Sequence, residues 1–187
     1  MEPSDETLCE RVAGGDQAAF DVLVGRYQQR AWRLAWSMLR DAEDARDVSQ
    51  EAFVRVFQSA GRFRGESRFS TWFYRIVVNL CIERRRKRPW LRFVPSGRDE
   101  DDADDVLDRQ PAESVDPVEE LDKEQAMKRM WAAVDGLPSR QRAAVTLYAQ
   151  DELSTRDIAS VLQCSEATVR VHLHRALSAL RRATGKG

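Results

Sequence analysis

The spacing of apolar residues between Phe20 and Met38 limits the possible folds more than any other feature of this chain. Phe20, Leu23, Val24, Tyr27, Ala31, Leu34, Ala35 and Met38 recur at steps of three and four, the period of one face of an α-helix and not of a strand. A long helix with a single apolar stripe is stable only when other elements cover that stripe. After a break at Asp41 the same kind of pattern returns in Ala45, Val48, Ala52, Val56 and Phe57, with Asp44, Asp47, Gln50, Glu51 and Arg55 left on the other side. The first half of the chain therefore reads as helical throughout. The polar side of its second helix suits either a solvated face or a surface that docks on another protein.

A third helix is predicted in the stretch FRGESRFSTWFYRIVVNLCIERRRKR, residues 63–88. Ser70 is placed to cap it, and Phe69, Phe73, Ile76, Val77 and Leu80 fall on one side at about 100° per residue. Trp72, Arg75, Asn79, Ile82 and Arg86 gather on the opposite side. Solvation alone explains such a face poorly. Arginines neutralise phosphates, an amide pairs with a base edge, and an aromatic ring stacks on an exposed base, so the face suits nucleic acid. The preceding loop, with Arg64, Gly65, Ser67 and Arg68, could receive a base pulled from a duplex, since stacking returns roughly 1–3 kcal/mol of the unstacking cost. A routine interhelical loop is the alternative.

The net charge of -1 conceals a strong segregation of sign. Every residue from Arg84 to Arg88 is basic, whereas Asp99 to Asp122 contains twelve carboxylates and the single basic residue Arg109. That acidic stretch holds Pro111 and Pro117, follows Pro89 and Pro95, and has no helical period, which is the composition of a linker. Trp90, Leu91, Phe93 and Val94 at its start either dock back on a neighbouring domain or meet a partner. The expected fold is all-α, with two small helical domains over residues 8–88 and 123–182 joined by a flexible acidic linker over residues 89–122.

In the second domain Trp131, Val134 and Leu137 close one helix, and Pro138 suits the first turn of the next, which runs through Ala144, Val145 and Tyr148. Ser154 and Asp157 resemble a capping box. Ile158, Ala159 and Leu162 make an apolar stripe, Gln163, Cys164 and Ser165 a turn, and Ser165 caps a last helix with Val169, Leu173, Ala176, Leu177 and Leu180 on its inner face. This is the layout of a helix-turn-helix whose second helix enters a major groove. Ala167, Thr168, Val171, His174, Arg175 and Ser178 point outward, with Arg170 and His172 on the flanks. Val171 could touch a thymine methyl, and Arg175 could reach guanine or phosphate.

Several classes are disfavoured. The three cysteines, Cys9, Cys81 and Cys164, form no C-x-x-C pair, so neither a disulfide framework nor a zinc knuckle is indicated. His172 and His174 lie two residues apart, on different faces of a helix, which argues against a metal site. No phosphate loop, H-E-x-x-H motif or nucleophile elbow is present, and no cofactor is expected. No apolar run reaches the roughly 18 residues of a membrane span, and the acidic start is unlike a secretion signal, so a cytoplasmic protein without membrane insertion is expected. A nuclease using the acidic segment for magnesium would lack a rigid frame for the ion.

Three stretches, in this order, resemble the extracytoplasmic-function class of bacterial sigma factors. DAEDARDVSQEAFVRVF is similar to the helix that binds the polymerase clamp, FRGESRFSTWFYRIVVNL to the segment that melts and recognises the downstream promoter element, and LPSRQRAAVTLYAQDELSTRDIASVLQCSEATVRVHLHRA to sigma region four. The resemblance implies a non-enzymatic initiation factor that lends promoter recognition and strand opening to core RNA polymerase. By the same resemblance Asp47, Gln50 and Glu51 would grip the beta-prime clamp, and region four would meet the beta flap. Arg64, Ser67, Arg68, Trp72, Arg75, Asn79 and Arg86 would handle the downstream element, with Asn79 and the loop capturing a flipped base. Thr168, Arg170, Val171, His172, His174 and Arg175 would read the upstream element of promoter DNA. The acidic linker would run through the polymerase cleft, and an anti-sigma factor is an expected partner. Val171 and His172 depart from the family's more usual small polar residue and arginine. A free-standing regulator that dimerises through its N-terminal helices remains the alternative of another class.

Overall fold

The protein is described by a computed structural model over residues 2–87 and 117–184. The linker expected over 89–122 lies outside these residues except for its end, where a helix begins at Pro117. Trp90, Leu91, Phe93 and Val94 also lie outside them.

The N-terminal unit consists of α1 (Asp5–Ala13), α2 (Gln17–Leu39), α3 (Ala42–Ser59), a short 3-10 turn (Ala60–Arg62) and α4 (Phe69–Lys87). Each of the first three helices starts on a side-chain oxygen that accepts an otherwise unpaired backbone N–H. Ser4 takes the amide of Thr7, Asp16 that of Ala19, and Asp41 that of Asp44. Helix α1 is not signalled by the apolar spacing of α2, yet its Leu8, Cys9 and Val12 are buried. Two contacts tie it to α2: Tyr27 donates to Asp5 at 2.5 Å, and Arg26 pairs with the same carboxylate at 2.6 Å.

The expected stripe of α2 is inside the protein, with Leu23, Tyr27, Ala31, Leu34, Ala35 and Met38 buried and Phe20 and Val24 packed at the margin. In α3 the expected Ala45, Val48, Ala52 and Val56 are buried. Phe57, expected with them, is 48% exposed and leans edge-on against Phe20, while Phe53 takes the inner place. The centre of the unit is aromatic. Phe73 lies within 5.1 Å of the Tyr27 ring, 5.2 Å of Phe53 and 6.1 Å of Phe69, contacts worth roughly 0.5–1.5 kcal/mol each beyond the area they bury.

Helix α4 departs from expectation at its start and on its flanks. It begins at Phe69, so Ser70 lies within the first turn and does not cap it. The Phe69 amide instead donates to the Glu6 carboxylate of α1 at 2.9 Å. Thr71, Tyr74, Val78 and Cys81 are also buried, a wider inner surface than one stripe requires. The extra coverage comes partly from the second unit.

That unit comprises α5 (Pro117–Asp135), α6 (Ser139–Gln150), α7 (Thr155–Leu162) and α8 (Glu166–Ala183). Pro138 stands one residue before α6 rather than in its first turn. Tyr148, expected inside, is 50% exposed, and Leu147 fills the core instead. The helix-turn-helix is as expected. Ser154 accepts the Asp157 amide and Ser165 that of Thr168, both at 3.1 Å, and Gln163 makes the turn in a left-handed conformation at φ 52°. Val169, Leu173 and Ala176 are buried, whereas Leu177 is partly exposed and Leu180 packs at the margin.

The two units share one apolar core, in which α4 packs on α7 and α2 on α6. Polar bonds frame that contact. Tyr74 donates to Asp151, Arg75 to the carbonyl of Ser160 and Gln150 to the hydroxyl of Ser37, each at 2.8 Å. Arg142, with no exposed surface, donates to the carbonyl of Met38 at the end of α2 and to Asp135, both at 2.9 Å. Beside it the Arg40 guanidinium lies 3.8 Å from the centre of the Trp36 ring and 4.1 Å from that of Trp131.

Candidate nucleic-acid interface

Loop 63–68 gets its shape from its two ends. Phe63 is fixed against Phe69 and Trp72, at 6.1 and 5.2 Å between ring centres, and Gly65 turns the chain at φ 68°, which L side chains rarely adopt. Arg64, Glu66 and Arg68 are exposed and Ser67 half-buried. Trp72 is half-buried against Phe63 and Phe69, so it forms the floor of the loop more than a free stacking surface.

One turn and then two beyond Trp72, Arg75 and Asn79 follow on the same side of α4, and Arg86 extends the line. Asn79 and Arg86 are exposed, while Arg75 is half-buried and spends one nitrogen on the Ser160 carbonyl. Its Nε is buried with no partner. Ile82, grouped with this face, packs instead at the edge of the core.

On α3, Asp47 and Gln50 are exposed. Glu51 is half-buried and paired with Arg55 at 2.7 Å, and Arg84 lies 2.8 Å from Asp44 and 3.5 Å from Asp47. The Glu51–Arg55 pair is solvent-accessible and worth about 0–1 kcal/mol to the fold, whereas the Asp44 side chain is only 16% exposed. The Glu51 and Asp47 carboxylates can therefore exchange partners at little cost.

On α8, Arg170, Val171, His174 and Arg175 are exposed, with Val171 47% so. Thr168 and His172 are half-buried. The His172 Nδ1 is enclosed without a partner, and burial first, then the charges of Arg140 and Arg175, hold the ring below its usual pKa of 6.5. Glu166 opens the helix and lies 3.2 Å from the Thr155 hydroxyl and 3.5 Å from Arg170, so it bridges both helices of the motif. Neither this bridge nor the capping role of Glu6 is signalled by apolar periodicity, because both depend on residues brought together by the fold.

The thiols of Cys9 and Cys81 are buried, and burial raises them to about 11 and about 12, respectively. Both stay protonated and unreactive near neutral pH. Among the described residues no group of three or more His, Cys, Asp or Glu side chains could hold a metal ion. No described helix is long and apolar enough to cross a membrane.

A helix-turn-helix packed against a second helical unit that carries an arginine and amide face is an arrangement suited to a DNA-binding transcription protein. Residues 23–91 match the family Sigma-70 region 2, and residues 127–180 match Sigma-70, region 4. The chain is 36% identical over 183 residues to the RNA polymerase sigma-H factor of Pseudomonas aeruginosa, covering 96% of this chain and 93% of that one. It is 35% identical over 185 residues to the ECF RNA polymerase sigma-E factor of Escherichia coli K12, covering 95% and 92%. The fold is shared with CnrH, solved in complex with the cytosolic domain of CnrY, at a TM-score of 0.67, 24% identity and 96% coverage of both chains. The chain belongs to the sigma-70 family. Its function is that of a non-enzymatic sigma factor in transcription initiation, which binds core RNA polymerase and directs promoter recognition.

Proposed function

We propose that this chain is an alternative sigma factor of the cytoplasm that divides its work among three surfaces. The polar side of α3, with Asp47, Gln50 and Glu51, docks on the beta-prime clamp, and the C-terminal unit meets the beta flap. Loop 63–68 with Arg75, Asn79 and Arg86 opens and reads the downstream element. The outer side of α8, from Thr168 to Arg175, reads the upstream element. Strand separation is driven by capture: a base leaving the stack is held by the loop and by the Asn79 amide, and the arginines neutralise the phosphates on either side.

One observation carries this reading. Asn79 is exposed in the middle of a helix whose neighbours Val77, Val78, Leu80 and Cys81 are all buried. Its amide adds nothing to packing and is available to a base edge. A sigma chain of the same fold from Bartonella quintana was solved with the anti-sigma factor NepR. A protein of that kind is the regulator we assign here, with a stress or envelope regulon as its target.

Permanganate footprinting with sigma-free core polymerase tests the base-capture role. Asn79→Ala should reduce promoter opening and alter base preference downstream, with core binding unchanged. Equal loss of opening and core binding would argue against base capture. Specific protection by the wild-type protein alone, without opening, would favour a free-standing regulator.

A further inference from the structure

Helix α4 opens at a residue that cannot cap it. Its first intrahelical bond runs from the Trp72 amide to the Arg68 carbonyl at 3.2 Å, so Arg68 holds the N-cap place. Serine, threonine, aspartate or asparagine usually stands there, because each brings an oxygen to the orphan amides that follow. A guanidinium has only donors. The acceptor comes instead from α1, where the Glu6 carboxylate takes the Phe69 amide at 2.9 Å. Negative charge is also favoured at the positive end of a helix.

Helix α1 meets the loop at both of its ends. It packs on the 3-10 turn that leads into loop 63–68 as well as on α4, which follows it. Its own place is set by Asp5, which accepts from Tyr27 and Arg26, while Arg26 also reaches the Pro3 carbonyl at 3.1 Å and Glu2 at 3.0 Å. Tyr27 in turn lies 5.3 Å from the Phe69 ring. Two consecutive carboxylates therefore converge on Phe69, Asp5 through the ring of Tyr27 and Glu6 at the backbone. Phe69 has no exposed surface and packs on Phe63 and Trp72, the floor of the loop.

We propose that Glu6 is a positioning residue for promoter opening, which caps α4 from α1 and so fixes loop 63–68 in the shape that receives a base. Arg68 is exposed, and a cation at the end of the loop suits phosphate neutralisation better than a short capping side chain would. The cap that this choice removes from α4 is restored from α1. Glu6→Ala leaves the Phe69 amide without its acceptor and should loosen the floor beneath the loop. Glu6→Gln keeps an acceptor oxygen at the same reach and should retain the wild-type geometry. Glu6→Asp is one methylene shorter and should behave like Glu6→Ala.

This inference rests on the base-capture reading, and the measurements keep the two apart. Hydrogen exchange of the free full-length chain should quicken over loop 63–68 and the first turn of α4 in Glu6→Ala, and stay at the wild-type rate in Glu6→Gln. Permanganate footprinting with core polymerase gives the base preference, on a promoter that the wild type opens and on the same promoter changed at its preferred downstream base. Glu6→Ala should lose about tenfold in open complexes on the first, as expected when the competent fraction of the loop falls tenfold, and much less on the second, which gains little from capture. Core binding should be unchanged, and Glu6→Gln should recover the loss. Asp16→Ala removes a cap of α2 in the same unit; it controls for general destabilisation and should keep the preference. Unchanged exchange or an unchanged preference in a folded Glu6→Ala chain would overturn the proposal. So would a Glu6→Gln chain as defective as Glu6→Ala, or an equal relaxation of preference by Asp16→Ala. If Glu6→Ala does not fold, Glu6→Asp decides by the same criteria. Asn79→Ala tests the parent reading separately. Should it keep both opening and preference, base capture fails and this inference with it; should it lose them while Glu6→Ala does not, base capture stands and the positioning role of Glu6 falls.

Discussion

The N-terminal and C-terminal units are both helical, but they are specified differently. The first has α2 of 23 residues and α4 of 19, packed around Phe69, Phe73, Leu23, Leu34 and Met38 with almost no exposure. The second sets α6 of 12 residues and α7 of 8 beside the longer α5 and α8, and among the described residues its buried core is aliphatic, with Leu147, Ile158, Leu162, Val169 and Leu173 but no aromatic ring. Large interlocking rings fix geometry through packing alone. A core without rings buries less apolar area per side chain, so the short α6 and α7 depend more on their caps and on the neighbouring unit. The half with the aromatic core carries the surface assigned to strand opening, and the aliphatic half carries the helix assigned to reading the upstream element.

This contrast is open to direct attack. Phe73→Ala removes the ring that joins Tyr27, Phe53 and Phe69. A loss of about 3–5 kcal/mol is expected, read as a large drop in melting temperature by calorimetry. Leu147→Ala, the equivalent cut in the second unit, should cost about 2–5 kcal/mol, with the smaller loss expected because removing a leucine leaves a smaller cavity than removing a ring. Since the apolar core is continuous across the units, both variants should melt in one transition; two separated transitions would show that the halves fold independently.

Caps come next in size. Ser165→Ala should destabilise by about 1 kcal/mol and Ser165→Asp should retain most of the wild-type stability, as urea titration would show. A comparable loss from Ser154→Ala would extend the same rule to α7. The smallest effect is set by pH. His172 in the folded chain binds its proton below the ordinary 6.5, so the unfolded chain protonates first on acidification. Its contribution is neutral above about pH 6.5 and becomes increasingly unfavourable as pH falls from there towards the folded-state value. Urea titrations on either side of this window should show the decline in wild type and a weaker one in His172→Gln.

Much of the fold was legible because one helix face records its own burial. The stripe from Phe20 to Met38, the layers of α3 and the helix-turn-helix with its Ser165 cap all follow from local spacing and cap chemistry. The exceptions arise where distant segments meet. Phe57 and Phe53 lie four residues apart and both meet Phe20, and it is the position of Phe73 on α4 that draws Phe53 inside. Tyr74 and Cys81 extend the apolar surface of α4 beyond one stripe, and nothing in their spacing says that α7 stands over that helix. Arg142 reads as one more exposed cation in a basic stretch, and its burial follows from the meeting of α2 with α6. Of the candidate site, Asn79, Arg86, Val171 and Arg175 are exposed as their helical phase requires, whereas the partners of Arg75 and Trp72 are set by tertiary contact.

The bond from the Phe69 amide to Glu6 links the first helix of the chain to the start of α4 across 63 residues. Contacts of such long range require closure of a large loop before they reward it, and they tend to form late in folding. During synthesis α1 is complete long before its partner emerges, and the floor of loop 63–68 settles only when the two ends of the unit come together. The element assigned to open DNA is therefore assembled among the last parts of its domain, and an incompletely folded N-terminal unit would lack it.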